Sequence, residues 1–331
     1  MEGRLGAAVI GVGIYGQVHA RAYQRDHRTK LVAVWSRSRE RREQASTTFE
    51  CEAAEDIRRI AEDTRIDIVS IATPDFAHTE PAIMMLEAGK HVLVEKPMST
   101  SSADCERILA ARDRSGTKLM VNFHNRWYPP IAHAKKLIDI GEIGEPVLCY
   151  ARLSDQIIVP IEWLSWADQS GPEWFLFPHV IDLVRWLFNQ EICRVFAVGR
   201  KGVLQARGVD CYDAIQAQLV LFGGAIATIE SSWILPRSWR SIIDFKLDIL
   251  GSRGRIGIEG DKESIDIATD NRYETPFILD PTTTELMPFQ HFIECVIEDK
   301  PPSCTGEEGL IVTRIIEGIL ESLERGVPIT I

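Results

Sequence analysis

The stretch from Ala7 to Gly16, AAVIGVGIYG, restricts this chain to a small set of folds. An apolar run, Ala7-Ala8-Val9-Ile10, enters Gly11-Val12-Gly13-Ile14-Tyr15-Gly16, and Gln17 to Tyr23 continues as helix. Strand, glycine turn and helix stand in the order that a dinucleotide site requires. The first glycine permits a tight turn, the second lets the backbone approach a pyrophosphate, and the third allows close helix-strand packing, while the helix start offers N–H groups to the anion. Gly11, Gly13, Ile14, Tyr15 and Gly16 are therefore candidate cofactor contacts. A glycine-rich turn also arises by chance, so the pattern gains meaning only if strands and helices alternate after it.

They do alternate. Leu31 to Trp35 reads as a buried strand, Arg39 to Phe49 and Ile57 to Asp63 as helices, and Ile68 to Ala72 as a further apolar strand of the parallel-sheet type. A helix carrying Pro81, Met84, Met85 and Leu86 ends at Gly89, and the strand His91 to Val94 leads to Glu95-Lys96-Pro97. Ser101 to Ser115 is a helix stopped by Gly116, and Leu119 to Asn122 is the last strand of the series. Residues 1–123 thus read as a dinucleotide-binding domain with a doubly wound parallel sheet, and 124–331 as a second domain.

Ligands of open α/β sheets bind at the C-terminal ends of the strands. Three segments reach that edge. At the first, an acid that would meet the ribose 2′-hydroxyl of NAD is missing; Ser36 stands in its place and Arg37 beside it suits a 2′-phosphate, which points to NADP with NAD as the other option. Arg39, Arg41 and Arg42 fit a solvated helix turn equally well. At the second, Thr73, Pro74 and His78 form a loop. At the third, Glu95 and Lys96 stand before a proline, where a lysine could act as acid, base or fixed positive charge, or form a surface ion pair.

Composition removes several classes of function. A formal net charge of −11 argues against a nucleic-acid surface. No apolar run reaches the roughly 18 residues of a membrane span, and an acidic Glu2 followed early by a strand argues against a signal peptide, so a cytoplasmic address and a small-molecule partner are expected. The cysteines at 51, 105, 149, 193, 211, 295 and 304 show no CxxC pair, and the histidines show no HExxH; reduced thiols and no metal are expected.

In the second domain, Pro129 to Ile140 is an amphipathic helix with Ile131, Ala134, Leu137 and Ile138 on one face, and Val147 to Leu153 begins a new sheet. Ile215, Ala217, Leu219 and Leu221 alternate with polar residues, as do Phe245, Leu247 and Ile249; Gly223-Gly224 makes a hairpin. Glu285 to Glu298 and Glu308 to Arg325 are helical, separated by Pro301-Pro302. Between sheet and helix, Ser154 to Phe177 carries Trp163, Trp166, Trp174, Phe175 and Phe177, which either stack on a sugar face or form the core of a loop. On the helix Pro178 to Phe188, His179 and Asp182 share a face, so Asp182 either supports the imidazole or makes a structural bond.

The whole chain resembles the Gfo/Idh/MocA oxidoreductases. The residues that carry the likeness are Gly11, Gly13 and Gly16, Thr73-Pro74 with His78, AGKHVLVEKP from Ala88 to Pro97, Asn125-Arg126-Trp127 with Pro129 and Pro130, GEIGEP from Gly141 to Pro146, and His179-Val180-Ile181-Asp182. The resemblance implies a Rossmann domain followed by an α/β domain with a large, mostly antiparallel sheet, often used to form a homodimer or homotetramer. It also implies hydride transfer between NAD(P) and a carbohydrate-like alcohol or ketone. Lys96 and His179 would be the catalytic pair beside the nicotinamide; from the residues themselves, Trp166 and Asp182 join Lys96 and His179 as candidate substrate contacts. One departure stands out: where inositol-dehydrogenase-like members carry an Asp four residues before the motif histidine, this chain has Phe175. That loss leaves room for a cofactor-binding sensor without turnover, and redox-assisted glycoside cleavage is a further alternative within the family.

Overall fold

A computed structural model describes residues 3–260, 264–277 and 285–331. The first segment builds β1 (Leu5–Ile10), α1 (Ile14–Arg25), β2 (Thr29–Trp35), α2 (Arg39–Phe49), β3 (Glu52–Ala53), α3 (Ile57–Glu62), β4 (Ile68–Ile71), α4 (Thr79–Glu87), β5 (His91–Val94), α5 (Ser102–Ser115) and β6 (Leu119–Val121). Among the described residues these strands form one six-stranded sheet in the order β3-β2-β1-β4-β5-β6, every pairing parallel. This is the doubly wound arrangement, and the order reverses between β1 and β4. The strands are continuous apolar runs because helices cover both faces: Val9, Ile10, Ile68, Ile71 and Val92 to Val94 are fully buried.

Local chemistry sets the helix limits. Ser38, Asp56 and Ser101 cap α2, α3 and α5 by accepting from the backbone N–H of Arg41, Arg58 and Asp104, respectively. Gly116, at φ 68°, ends α5 in the left-handed conformation expected of it.

The later segments build α6 (Pro129–Asp139), β7 (Pro146–Asp155), α7 (Pro172–Phe175), α8 (Phe177–Phe188), β8 (Ile192–Arg200), β9 (Ala214–Leu221), β10 (Ile226–Ser232), β11 (Ile243–Gly251), β12 (Gly254–Glu259), β13 (Ile265–Thr269), β14 (Tyr273–Glu274), α9 (Met287–Ile297), α10 (Gly306–Arg325) and β15 (Ile329–Thr330). Among the described residues a nine-stranded sheet runs β14-β13-β12-β11-β7-β10-β9-β8-β15. Its pairings are antiparallel except β7 with β10. The period-2 pattern sorts the two faces: Val195, Ala197, Ile215, Ala217, Leu219, Ala227, Ile229, Leu247 and Ile249 are buried, whereas Gln216 and Gln218 are exposed. α8 packs on β7 and β10 of that inner face. The α/β architecture expected from the sequence, a parallel dinucleotide sheet followed by a large and mostly antiparallel one, is the architecture observed.

The chain forms two compact units: Met1–His124 with Thr283–Thr313, and Asn125–Thr282 with Arg314–Ile331. The return of the later segment to the first unit follows from packing. On α9, Phe289 sets its ring edge against His19 at 4.6 Å and against Tyr23 at 6.0 Å, and Val121 N donates to Cys304 O at 3.0 Å.

Candidate active site

In the first unit, the glycine turn has the geometry its letters imply. Gly11 lies at φ 98°, and a Cβ there would stand 2.4 Å from the carbonyl oxygen of Ala72. A Cβ on Gly16 would stand 1.8 Å from Gly11 O, so the third glycine is needed for the helix to approach the turn. A Cβ on Gly13 would meet nothing within 4 Å. No internal contact therefore requires glycine at position 13, and the open space above it is what a pyrophosphate cradle needs. Gly13 is also the cap of α1 and supplies no side chain, which leaves the first N–H groups of the helix for a ligand. Ile14 and Tyr15 are exposed on that first turn.

At the end of β2, Ser36 is half-buried and Arg37 is exposed. The arginines that follow have local uses: Arg39 donates to Glu43 at 2.7 Å, and Arg42 to the carbonyl of Glu55 at 3.3 Å.

Beyond β4, Thr73 and Pro74 are half-buried, and Thr73 Oγ1 donates to Ala77 O at 2.9 Å. His78 is 1% exposed, with Nε2 at 2.9 Å from Thr73 O and Nδ1 at 2.8 Å from Pro97 O. It joins the loop after β4 to the loop after β5 from within. Burial pushes its imidazole below the ordinary histidine range, against the pull of the Pro97 carbonyl and of Asp75.

β5 delivers Glu95 and Lys96, both buried. Glu95 Oε1 lies 2.8 Å from His19 Nε2 and accepts from Asn122 Nδ2 at 2.6 Å, while Oε2 accepts from the backbone N–H of Lys96 at 3.3 Å. Burial alone would raise the Glu95 carboxyl. The hydrogen bond from His19 and the positive charge of Lys96 outweigh it and bring the group down to about 2. The opposite result holds for His124, which burial and the neighbouring Lys96 hold down at about 4 despite Glu95.

In the second unit, α8 presents His179 and Asp182, both buried. Asp182 directs both carboxylate oxygens to Arg126, with Nε to Oδ2 at 2.8 Å and Nη2 to Oδ1 at 2.5 Å. Arg126 also lies over the Trp186 ring, 5.5 Å from its centroid. The structural bond open to Asp182 is present, with Arg126 as its partner. A guanidinium matches a carboxylate in two parallel hydrogen bonds.

Phe175 stands between Trp166, at 6.1 Å, and the fully buried Trp233, at 5.5 Å. Position 175 is thus the middle of an aromatic row, whose surroundings favour an apolar ring. Trp166 is half-buried in this row and Trp163 is exposed.

His19, Asn122 and the partner of Asp182 were not singled out as site residues by their letters. His19 falls on the buried face of α1 with Ala20 and Tyr23, and Asn122 follows β6 directly at the ligand-binding edge. A polar residue at such an edge was the available signal.

Residues 5–123 match the model of an oxidoreductase family with an NAD-binding Rossmann fold, and residues 131–257 match the GFO/IDH/MocA C-terminal domain. The chain is 28% identical to the scyllo-inositol 2-dehydrogenase (NAD(+)) of Bacillus subtilis, over 99% of this chain and 97% of that protein. It is 25% identical to the myo-inositol 2-dehydrogenase of Thermotoga maritima, over 96% of this chain and 95% of the other. Among solved structures, levoglucosan dehydrogenase in complex with NADH and levoglucosan superimposes with a TM-score of 0.90 at 25% identity, covering 99% of each chain.

Proposed function

The chain belongs to the Gfo/Idh/MocA oxidoreductases, and from that premise we propose that it is an NAD(P)-dependent dehydrogenase or reductase of a sugar, polyol or related hydroxyl or ketone compound. The carrying observation is the sheet edge of the first unit, where the open turn at Gly13 and the lysine anchored by Glu95 occur together. Residues 1–123 are assigned to dinucleotide binding and 124–331 to substrate binding and self-association. The turn Gly11 to Gly16 holds the pyrophosphate, Ser36 and Arg37 the adenosine 2′ side, and Thr73, Pro74 and Lys96 the nicotinamide end. The absence of an acid after β2 supports NADP as the preferred form, while the inositol dehydrogenase relative named above is NAD-dependent by its name.

When bound, the nicotinamide supplies a hydride acceptor in one direction and a donor in the other. Lys96 donates a hydrogen bond to the substrate oxygen and stabilises negative charge as it develops there. In oxidation of a CH–OH group, His179 takes the hydroxyl proton while the C–H hydride leaves; in reduction it returns the proton to the new alkoxide. The Phe175 aromatic row supports a second reading, a sensor that binds the dinucleotide without turnover.

The outer face of the nine-stranded sheet supports a homodimer or homotetramer. By register, Leu250 lies opposite Leu148, Leu148 opposite Ile226 and Ile226 opposite Val220, an apolar stripe across four strands. Leu148, Ile226 and Leu250 are 40–46% exposed. Seven free thiols fit a reducing cytoplasm, and no described helix is long and apolar enough to cross a membrane.

A dinucleotide titration followed by a polyol and sugar panel, read at the nicotinamide absorbance, tests the assignment. Stoichiometric cofactor reduction supports it; sugar release without net cofactor change indicates glycoside cleavage, and binding without either signal indicates the sensor. Lys96→Met is expected to abolish turnover while dinucleotide binding persists. Undiminished turnover removes Lys96 from the mechanism.

A further inference from the structure

We propose that His19, Glu95 and Asn122 form a buried positioning network that holds Glu95 as an anion against Lys96, so that Lys96 meets its substrate as an ammonium ion. The inference rests on the dehydrogenase reading only for its consequence in catalysis; the charge state itself is a property of the free protein.

The network is assembled from three elements of the parallel sheet domain. β5 ends in Glu95, α1 brings His19, and the chain leaving β6 brings Asn122. Two donors converge on Oε1, at 2.8 and 2.6 Å, and the Lys96 backbone N–H reaches Oε2. Glu95 is 6% exposed and His19 is fully buried. A carboxylic acid would have to turn one oxygen from acceptor to donor, and neither His19 Nε2–H nor the Asn122 amide N–H can receive that proton. The donor set thus selects the ionised form.

The same geometry selects the tautomer of His19. Nε2 must carry a proton to donate to Glu95. Among the described residues Nδ1 has no hydrogen-bond partner and is shut from solvent, with the ring edge packed on Phe289 at 4.6 Å. A proton on Nδ1 would be a buried donor with no acceptor, so the Nε2–H tautomer is the one that fits. His124, on the stretch after β6, is held neutral by burial, and His78, with Asp75 beside it before α4, is also pushed toward its neutral form. His19 and Asn122 therefore donate to the Glu95 anion from the sides of α1 and β6, and Lys96 supplies the cationic charge that balances it. A lysine beside that anion is a poor base at neutral pH. Its part is to donate and to stabilise charge, which leaves proton removal to another group.

The test needs no substrate. The full chain is labelled with 13C at lysine Cε and titrated by NMR, Lys96 being assigned by comparison with Lys96→Met. Glu95→Gln keeps the acceptor shape and removes the charge; its Lys96 midpoint is expected to fall by about one pH unit or more relative to wild type. His19→Leu should move it part of the way in the same direction. His19→Gln, which places an amide N–H near the position of Nε2, should restore it. Dinucleotide binding, followed by quenching of intrinsic fluorescence, reports that each variant is folded. An unchanged midpoint in Glu95→Gln overturns the proposal, as does a His19→Gln midpoint matching that of His19→Leu. On an accepted substrate, the alkaline limb of kcat should shift in the same order while KM for the dinucleotide changes less than about threefold. If no substrate turns over, the dehydrogenase reading fails and the NMR titration still decides this one.

Discussion

Individual residues carry the charges that matter, and three of them yield measurable consequences. The Glu95 carboxyl falls from 4.5 to about 2 on folding. Its contribution to stability is therefore fully present above pH 4.5 and is lost as the pH falls toward 2, an effect of about 3 kcal/mol. Urea denaturation of Glu95→Gln should show a flatter pH dependence across that window; parallel curves for the two proteins would remove Glu95 as a source of acid sensitivity. Arg126 and Asp182 are both buried, so Arg126→Met removes the bidentate cation from a buried carboxylate and should cost about 3–5 kcal/mol. Adding Asp182→Leu should recover part of that loss. A single variant within about 0.5 kcal/mol of wild type would show the pair to be dispensable. Arg37→Ala tests cofactor choice: removal of a charge-assisted bond to a 2′-phosphate should weaken NADP about tenfold and leave NAD unaffected. Equal loss for both forms, or tighter binding of NAD by the wild type, overturns the NADP preference.

Elements place these residues, and α1 shows how separable its two tasks are. Gly16 is needed for packing, because its Cβ would collide with the Gly11 carbonyl, whereas Gly13 faces open space. Gly13→Ala should consequently keep stability within about 1 kcal/mol of wild type while lowering dinucleotide affinity at least tenfold. Gly16→Ala should lower the melting temperature as well. Similar melting temperatures and affinities for the two variants would show that the glycines are not divided between fold and ligand. The same scale explains which elements were legible. Apolar runs and caps mark β1, β4, β5, α2 and α5 because both signals are local. The edge strands β14 and β15, two residues each, have no such signal; they exist only where a neighbouring strand offers its unpaired backbone.

At the scale of the whole molecule, the apolar stripe through Leu250, Leu148, Ile226 and Val220 predicts association of the native chain. Ile226→Lys, a charge placed in the stripe on a residue already 45% exposed, should reduce the mass measured by light scattering without lowering helix or strand content. A wild-type protein that is monomeric at tens of micromolar would dismiss the sheet face as an interface. The pairing of β7 with β10 in parallel, inside an otherwise antiparallel sheet, also belongs to this scale. Alternation predicts which face of a strand is buried, but it is blind to the direction of the neighbour, since a strand reversed end to end buries the same face.

The amino-acid order by itself determined the features that short-range physics enforces: a glycine turn between strand and helix, parallel strands written as unbroken apolar runs, half-exposed strands written as alternation, and the segments that reach the ligand-binding sheet edge. Only the tertiary structure decided the partners. Glu95 finds His19 at a separation of 76 residues and Asn122 at 27, and Arg126 finds Asp182 at 56. A carboxylate, an imidazole and a guanidinium look the same in sequence whether solvated or enclosed. Their charges and roles are set by what lies within about 3 Å after folding, and no local pattern encodes that neighbour.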